Sequence, residues 1–564
     1  QIRYARADRS ALKRRLERKG TPGFSTDLPR VMAAFITSNA RQSAHQLYMQ
    51  SVGRAIKYIP KEKGDVQKEA QKLRDFVVNP DDNGAFVSSL LFAWFLGGSP
   101  AAAAINATQP AMVTLPYLSQ YVRPDQAAWE LTKATPYALG KKEIADKDLR
   151  DGLKKAGLEG VVDAQEIFHL YSLGSRQLAM GTKSQAALTL WGSMFSAIEG
   201  LNRRLTFIAA WNVAQQTGET NPYAFAIRAV NATQGVYNKV NRPNLARSTL
   251  GRLVFTYKGF PLMVGELMAR MWKSENTHGK RAVMIMLALL VLAAGEEGLP
   301  GSKALDDLID TIGQMIGLDT NARRWKRRKA YEILGKEFGD LFLYGASTYM
   351  PFDFGGRLGM GNMIPGTEMA KKSSGMFNTR SLAEIVGPTA GAAKQIGDFV
   401  EAMSEGKTSK AIENISPKAV RDVIGAYEMA KKGYATNSLG QKTVNTTGGD
   451  AVVKAIGFNP TVAAQDSREK MPIKQDERLR TAKASSFTGQ LSQAFIDQDT
   501  KAVTEVWEKI NKWNEDNPDT RIDPRSIRDS AIQRTRKALM DSDTRTMKTA
   551  PRSMRATIGL DMAK

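Results

Sequence analysis

The sequence predicts an all-α protein, an elongated multi-helix assembly with two apolar helical segments and irregular connections rich in glycine and proline. Three observations predict it. Asn221-Pro222, Ser416-Pro417, Asn459-Pro460 and Asp523-Pro524 each place a capping side chain before a proline, whose fixed φ and missing N–H suit a first helical turn. Gly406 after residues 396–405 and Gly433 after residues 420–432 read as helix stops. Sustained period-two alternation, the mark of a half-buried strand, is hard to find.

At 564 residues the chain exceeds one domain of ~100–200 residues, so about three or four helical units are expected. A composition 42% hydrophobic and 24% charged argues against wholesale disorder and against a polytopic membrane protein. Eighty Lys and Arg against 57 Asp and Glu leave a net charge of +23, a surface that attracts phosphate polyanions or anionic head groups. With no cysteine and only His45, His169 and His278, disulfides and Cys/His zinc sites are excluded. No export signal opens the chain, and its start at Gln1 reads as that of a processed or partial piece of something longer.

Punctuation and charge divide the chain into six regions. Residues 1–82 form a basic helical start, with Arg14, Arg15, Arg18 and Lys19 packed into two turns of helix. Residues 83–122 carry no charge at all, 123–247 make a helical body, and 248–316 hold a second apolar region. A basic cluster and glycine-rich loop fill 317–366, and 367–564 is polar and helical.

The first apolar passage, AFVSSLLFAWFLGGSPAAAAI, matches the ~20 residues that cross a bilayer but is broken by Gly97, Gly98 and Pro100. The second, AVMIMLALLVLAAG, is shorter and ends at Glu296-Glu297. For both, a buried core helix is the first reading and membrane contact the second. The side chains that would meet lipid are Phe86, Leu90, Leu91, Phe92, Trp94, Phe95 and Leu96 in one, and Met284, Ile285, Leu287, Leu290 and Leu292 in the other.

The cluster Arg323, Arg324, Lys326, Arg327, Arg328 and Lys329 surrounds Trp325, joining cations for phosphates to a ring that can stack on bases. A solvated helix face is the plain alternative; the lack of acids nearby in sequence favours the polyanion. Arg14, Arg15, Arg18 and Lys19 are a second nucleic-acid candidate.

No catalytic centre is legible. The chain has neither a Walker phosphate loop nor an H-E-x-x-H pair, and the glycine string 355–361 reads as a loop rather than a dinucleotide site. The pairs Glu296-Glu297, Asp306-Asp307 and Glu515-Asp516 read as helix-end or surface charge. No cofactor and no metal is expected.

Several strings, taken in order, resemble the C-terminal region of the large internal virion proteins of short-tailed bacteriophages, the DNA-ejection proteins of the PLxRFG-domain or large polyvalent type. They are LLFAWFLGGSPAAAAINATQPAMVTLPYL at 90–118, with Asn106, Gln109, Pro110 and Pro116; Glu199-Gly200-Leu201-Asn202-Arg203; and Asn231-Ala232-Thr233-Gln234-Gly235 running on to Asn241-Arg242-Pro243. Phe255-Thr256-Tyr257-Lys258-Gly259-Phe260-Pro261 and Gly298-Leu299-Pro300-Gly301 follow. Phe354-Gly355-Gly356-Arg357-Leu358-Gly359, Gly387-Pro388, Gly457-Phe458-Asn459-Pro460 and Trp513-Asn514 before Pro518 complete the set, although no literal P-L-x-R-F-G string occurs.

The resemblance implies a non-enzymatic segment, stored in the virion near the portal and ejected with the genome. It would help to form a DNA-translocation conduit across the host envelope, reaching periplasm or inner membrane. Implied partners are genomic DNA, the portal and other internal virion proteins, host envelope lipids, and further copies in a homo-oligomeric ring. Two other readings stand beside it: an encapsidated enzyme, such as a peptidoglycan hydrolase or virion RNA polymerase, and a nucleic-acid scaffold without membrane action.

Overall fold

A computed structural model describes residues 47–78, 93–163, 182–235, 244–248, 259–274, 277–302, 322–358, 416–437 and 441–540, with a few isolated positions besides. The fold is all-α. Among the described residues the strands are four pieces of two to four residues each. The chain forms two compact units, Gln1–Ala463 and Ala464–Lys564.

In the first unit the helices are α1 (Gly64–Val78), α2 (Pro100–Ala107), α3 (Pro124–Ala138), α4 (Lys147–Leu158), α5 (Thr182–Gln216) and α6 (Pro222–Gln234). They continue as α7 (Gly259–Lys273), α8 (Thr277–Ala294), α9 (Ala322–Tyr344), α10 (Lys418–Lys432) and α11 (Gly448–Ile456). Side-chain caps start several of them. Ser99 accepts from the N–H of Ala102, Asp146 from those of Asp148 and Leu149, and Asn221 from that of Ala224, each filling donors that a first turn leaves open.

Helix α5 is the hub, packing against α2, α3, α4 and α6. Its stretch Phe207, Ile208, Ala209, Ala210 and Trp211, continued by Val213 and Ala214, is buried on every side, the pattern of a helix surrounded by others. Phe225, Ala226, Ala229 and Val230 of α6 and Val283, Met286 and Leu290 of α8 complete the same core. Each large side chain fully buried there stabilises the fold by about 1.5–3 kcal/mol.

Of the four cap-proline pairs, Asn221 caps as expected and Asp523 does so in the second unit. The other two differ. Helix α10 has Pro417 itself at the N-cap without a side-chain bond. Asn459-Pro460 forms strand β4, paired antiparallel with β1 (Phe352–Asp353). Phe352 lies 5.0 Å from Phe458, ring centre to ring centre, and the N–H of Thr461 donates to the carbonyl of Pro351. Gly433 ends α10 in the left-handed region at φ 72°, as read, and the hairpin β2 (Tyr434–Thr436) with β3 (Lys442–Asn445) follows. Gly406 lies outside the described residues.

The two apolar helical segments are not supported as such, although the interruption read at Gly97, Gly98 and Pro100 is present. The first is broken by a turn at residues 96–98, then resumes as α2, a π-turn (Pro110–Thr114) and a short helix (Leu115–Leu118). Its break has a builder. The indole of Trp191 lies where a Cβ on Gly97 or Gly98 would stand (2.2 and 2.7 Å), the N–H of Gly98 donates to the Trp191 carbonyl at 2.7 Å, and the indole N–H donates to Ala93. The second passage is a single helix, α8, of 18 residues, opened by Lys280 and Arg281 and partly buried in the core. Among the described residues no helix is long and apolar enough to cross a membrane.

The second unit holds α12 (Thr461–Ile496, which begins at its border), α13 (Thr500–Asp516) and α14 (Pro524–Ala538). Phe487, Leu491, Val506, Ile510, Trp513, Ile522, Ile527 and Ala531 form its core. Asn514 closes the turn between α13 and α14, donating to the carbonyl of Ile522 at 2.9 Å and accepting from its N–H at 2.7 Å.

Candidate functional site

The basic cluster sits on the first half of α9, but its charge is not all presented to solvent. Lys326 turns inward, 2.7 Å from Glu296 and 2.8 Å from Asp306, and Arg323 reaches Asp306 at 3.6 Å. Burial by itself would depress the Lys326 ammonium; the Asp306 and Glu296 carboxylates more than reverse this and hold it above its ordinary value. Acids distant in sequence thus stand beside the cluster, brought from the turn after α8 and from residue 306; Glu296 lies at a helix end as read, and both it and Asp306 are buried. Trp325 and Arg328 are exposed, Arg324, Arg327 and Lys329 half-buried. Arg14, Arg15, Arg18 and Lys19 lie outside the described residues.

Of the side chains expected to meet lipid, Leu91 and Leu290 are buried, which removes them from that role in this conformation. Trp94, Phe95, Leu96, Ile285 and Leu287 are half-buried, and Trp94 donates to the side-chain oxygen of Gln395 at 3.0 Å. Met284 and Leu292 are exposed. Phe86, Leu90 and Phe92 lie outside the described residues.

Sequence reasoning missed the second half of α9. The helix breaks at Gly335, at φ 71° and ψ 179°, a backbone region that glycine alone enters at low cost. The bend is braced from inside: Tyr331 packs on Gly339 and donates to Asp340 at 2.7 Å, and the Tyr349 hydroxyl donates to the carbonyl of Glu337. Ile333, Leu334 and Phe338 are left exposed around it, with Phe342 further along. The signal was present in I-L-G-K-E-F, where apolar residues flank a glycine and a lysine.

The family-like strings converge on a buried polar core. Arg203 is fully buried in α5 and pairs with Glu199 at 3.0 Å one turn earlier. It also donates to the carbonyls of Val161, Gln234 and Gly235. Two of these carbonyls end α6, so the guanidinium caps the negative end of that helix. Asn202 donates to the Asn106 carbonyl at 2.7 Å, and Gln109 to the Thr233 carbonyl at 3.1 Å. Thr114, Thr206, Thr233 and Gln234 interlock their side chains. Residues from 106 to 235 thus meet in one network.

A second joint gathers two more strings, with Ser99 and Ala101 of the first. Gly457, at φ 103°, leaves room for Asp422, Ser99 and Ala101, where a Cβ would stand 3.1–3.4 Å away. Asp422 is held between Lys418 and Lys454, while Phe352 packs against both Phe354 and Phe458. Residues 355–358 form a helical turn instead of the expected loop.

A shallow depression of about 400 Å³ is lined by Gln120, Tyr121, Glu219 and His278 among others. No group of His, Asp and Glu among the described residues is placed to hold a metal ion. No protein-family model matches the chain, and neither a curated protein nor a solved structure matches it.

Proposed function

We propose that this chain is a structural protein of a short-tailed bacteriophage virion, ejected with the genome to help build a DNA conduit across the host envelope. The observation that supports it best is the meeting of strings scattered over residues 90–460 at two joints of the fold. The net charge of +23 suits a surface that handles DNA. In this reading the chain works as a ring of identical copies near the portal, beside other internal virion proteins, and has no catalytic step of its own.

Mass spectrometry of purified particles before and after triggered ejection tests it. The chain is expected in full particles and lost from emptied ones. Its absence from full particles, or its retention after the DNA has left, overturns the proposal, and peptidoglycan cleavage by the purified chain would move it to the enzymatic reading.

A further inference from the structure

We infer that α9 is a monotopic anchor that seats on the surface of a bilayer containing anionic lipid, with the Gly335 bend as its inserted tip. Ile333 is 75% and Phe338 68% exposed, with Leu334 between them. Single exposed apolar residues are ordinary; several gathered at one braced bend mark a contact surface. Trp325, exposed on the first half of α9, supplies a ring of the kind that settles at head-group depth, and Phe342 beyond the bend adds exposed apolar surface.

Charge and chemistry select the occupant. Lys326 and Arg323 face Glu296 and Asp306; Arg324, Arg327, Arg328 and Lys329 before the bend and Lys336 after it stand against Glu332, Glu337 and Asp340, so the element complements anionic head groups. Nucleic acid fits the tip less well, because Ile333 and Leu334 have no flat ring to stack on a base. Ten charged residues on α9 also exclude a spanning role; its apolar side chains gather at the bend and do not run along one face of the helix, so contact is confined to the tip. The bracing by Tyr331 and Tyr349 holds the bend without covering its apolar side chains. Lipid contact thus moves from the two long apolar passages to a segment that looks charged.

The biological setting rests on the ejection reading; the physical claim does not. Flotation of the full chain with vesicles of phosphatidylcholine, alone or with roughly a third phosphatidylglycerol, tests it. Wild type is expected to float with the anionic vesicles. Ile333→Ser with Phe338→Ser should weaken that binding by about tenfold or more. Arg328→Gln with Lys336→Gln should lower anionic binding by a similar factor. Circular-dichroism melting should match wild type for both, since the changed side chains are exposed. As a second readout, the emission lost in Trp325→Phe should shift to the blue on vesicle addition.

Equal flotation of wild type and the Ser variant overturns the inference, as does a Trp325 emission that ignores vesicles. Loss of self-association by the Ser variant in lipid-free buffer would make the face a contact between copies instead. A chain found in particles that ignores vesicles ends the anchor and leaves the ejection reading standing; anchoring by a chain absent from particles does the reverse.

Discussion

Arg203 concentrates the physics of the first unit in one side chain. A buried guanidinium is tolerated because its donors meet Glu199 and three carbonyls, and removing it strands both a carboxylate and the end of α6. Arg203→Met is expected to cost about 3–5 kcal/mol, read from urea unfolding followed by tryptophan fluorescence. Pairing it with Glu199→Leu should recover part of that loss, because the stranded charge goes too; no recovery would place the cost in the carbonyl caps alone. Tyr117 gives a prediction for pH. Burial pushes its phenol up, so the fold prefers the neutral form. Its contribution is complete below the unfolded tyrosine value of about 10 and is lost as pH rises through the higher folded one. Lys326, also raised, acts with the same sign. Melting temperature should therefore hold steady from about pH 7 to 9 and fall above about pH 10, and Tyr117→Phe should flatten part of that fall. Little of this was legible from sequence. The string holding Glu199 and Arg203 stood out, but its partners lie 31 to 42 residues away, beyond the reach of local pattern.

At the scale of elements, some local signals were read correctly, while Ser416 before Pro417 makes no cap and leaves Pro417 itself at the start of α10. Asn221 and Asp523 satisfy the N–H groups of their own helices, and Gly433 ends the helix before it. Asn459-Pro460 carries the same cap signature yet pairs as a strand with residues 352–353, a choice made by tertiary contact. The ends of α8 and α9 make the same point. Gly295, at φ 72°, abuts the carbonyl of Leu343, and Gly345, at φ 77°, abuts that of Ala293, each leaving no room for a Cβ. The two helix ends clasp each other backbone to backbone, which brings Glu296 to Lys326. Gly295→Ala is expected to destabilise the first unit by about 2–4 kcal/mol, combining left-handed strain with overpacking. Gly301→Ala, at a similar φ of 74° but with open space around it, should cost only about 1 kcal/mol. Equal losses for the two in urea unfolding would remove the clasp.

For the whole molecule, the net charge of +23 and the all-helical class were both legible in composition; how much of each cluster is available to a partner was not. Sequence treats Arg323 to Lys329 as one patch, whereas folding spends Lys326 on Glu296 and Asp306 and leaves Arg328 exposed. The two side chains should then separate in a single experiment. If duplex DNA is held by the exposed charge, log affinity falls linearly with log salt, with a slope of about 0.9 for each phosphate neutralised. Arg328→Gln is expected to lower that slope by about one and leave stability unchanged. Lys326→Met should leave the slope unaltered and destabilise the fold by about 3 kcal/mol, since two buried carboxylates lose its ammonium. A Lys326→Met chain that folds normally but loses a phosphate contact would mean that the ammonium leaves its acids to meet DNA. The charge after α8 would then be a reserve for the polyanion and not a brace for the bend in α9.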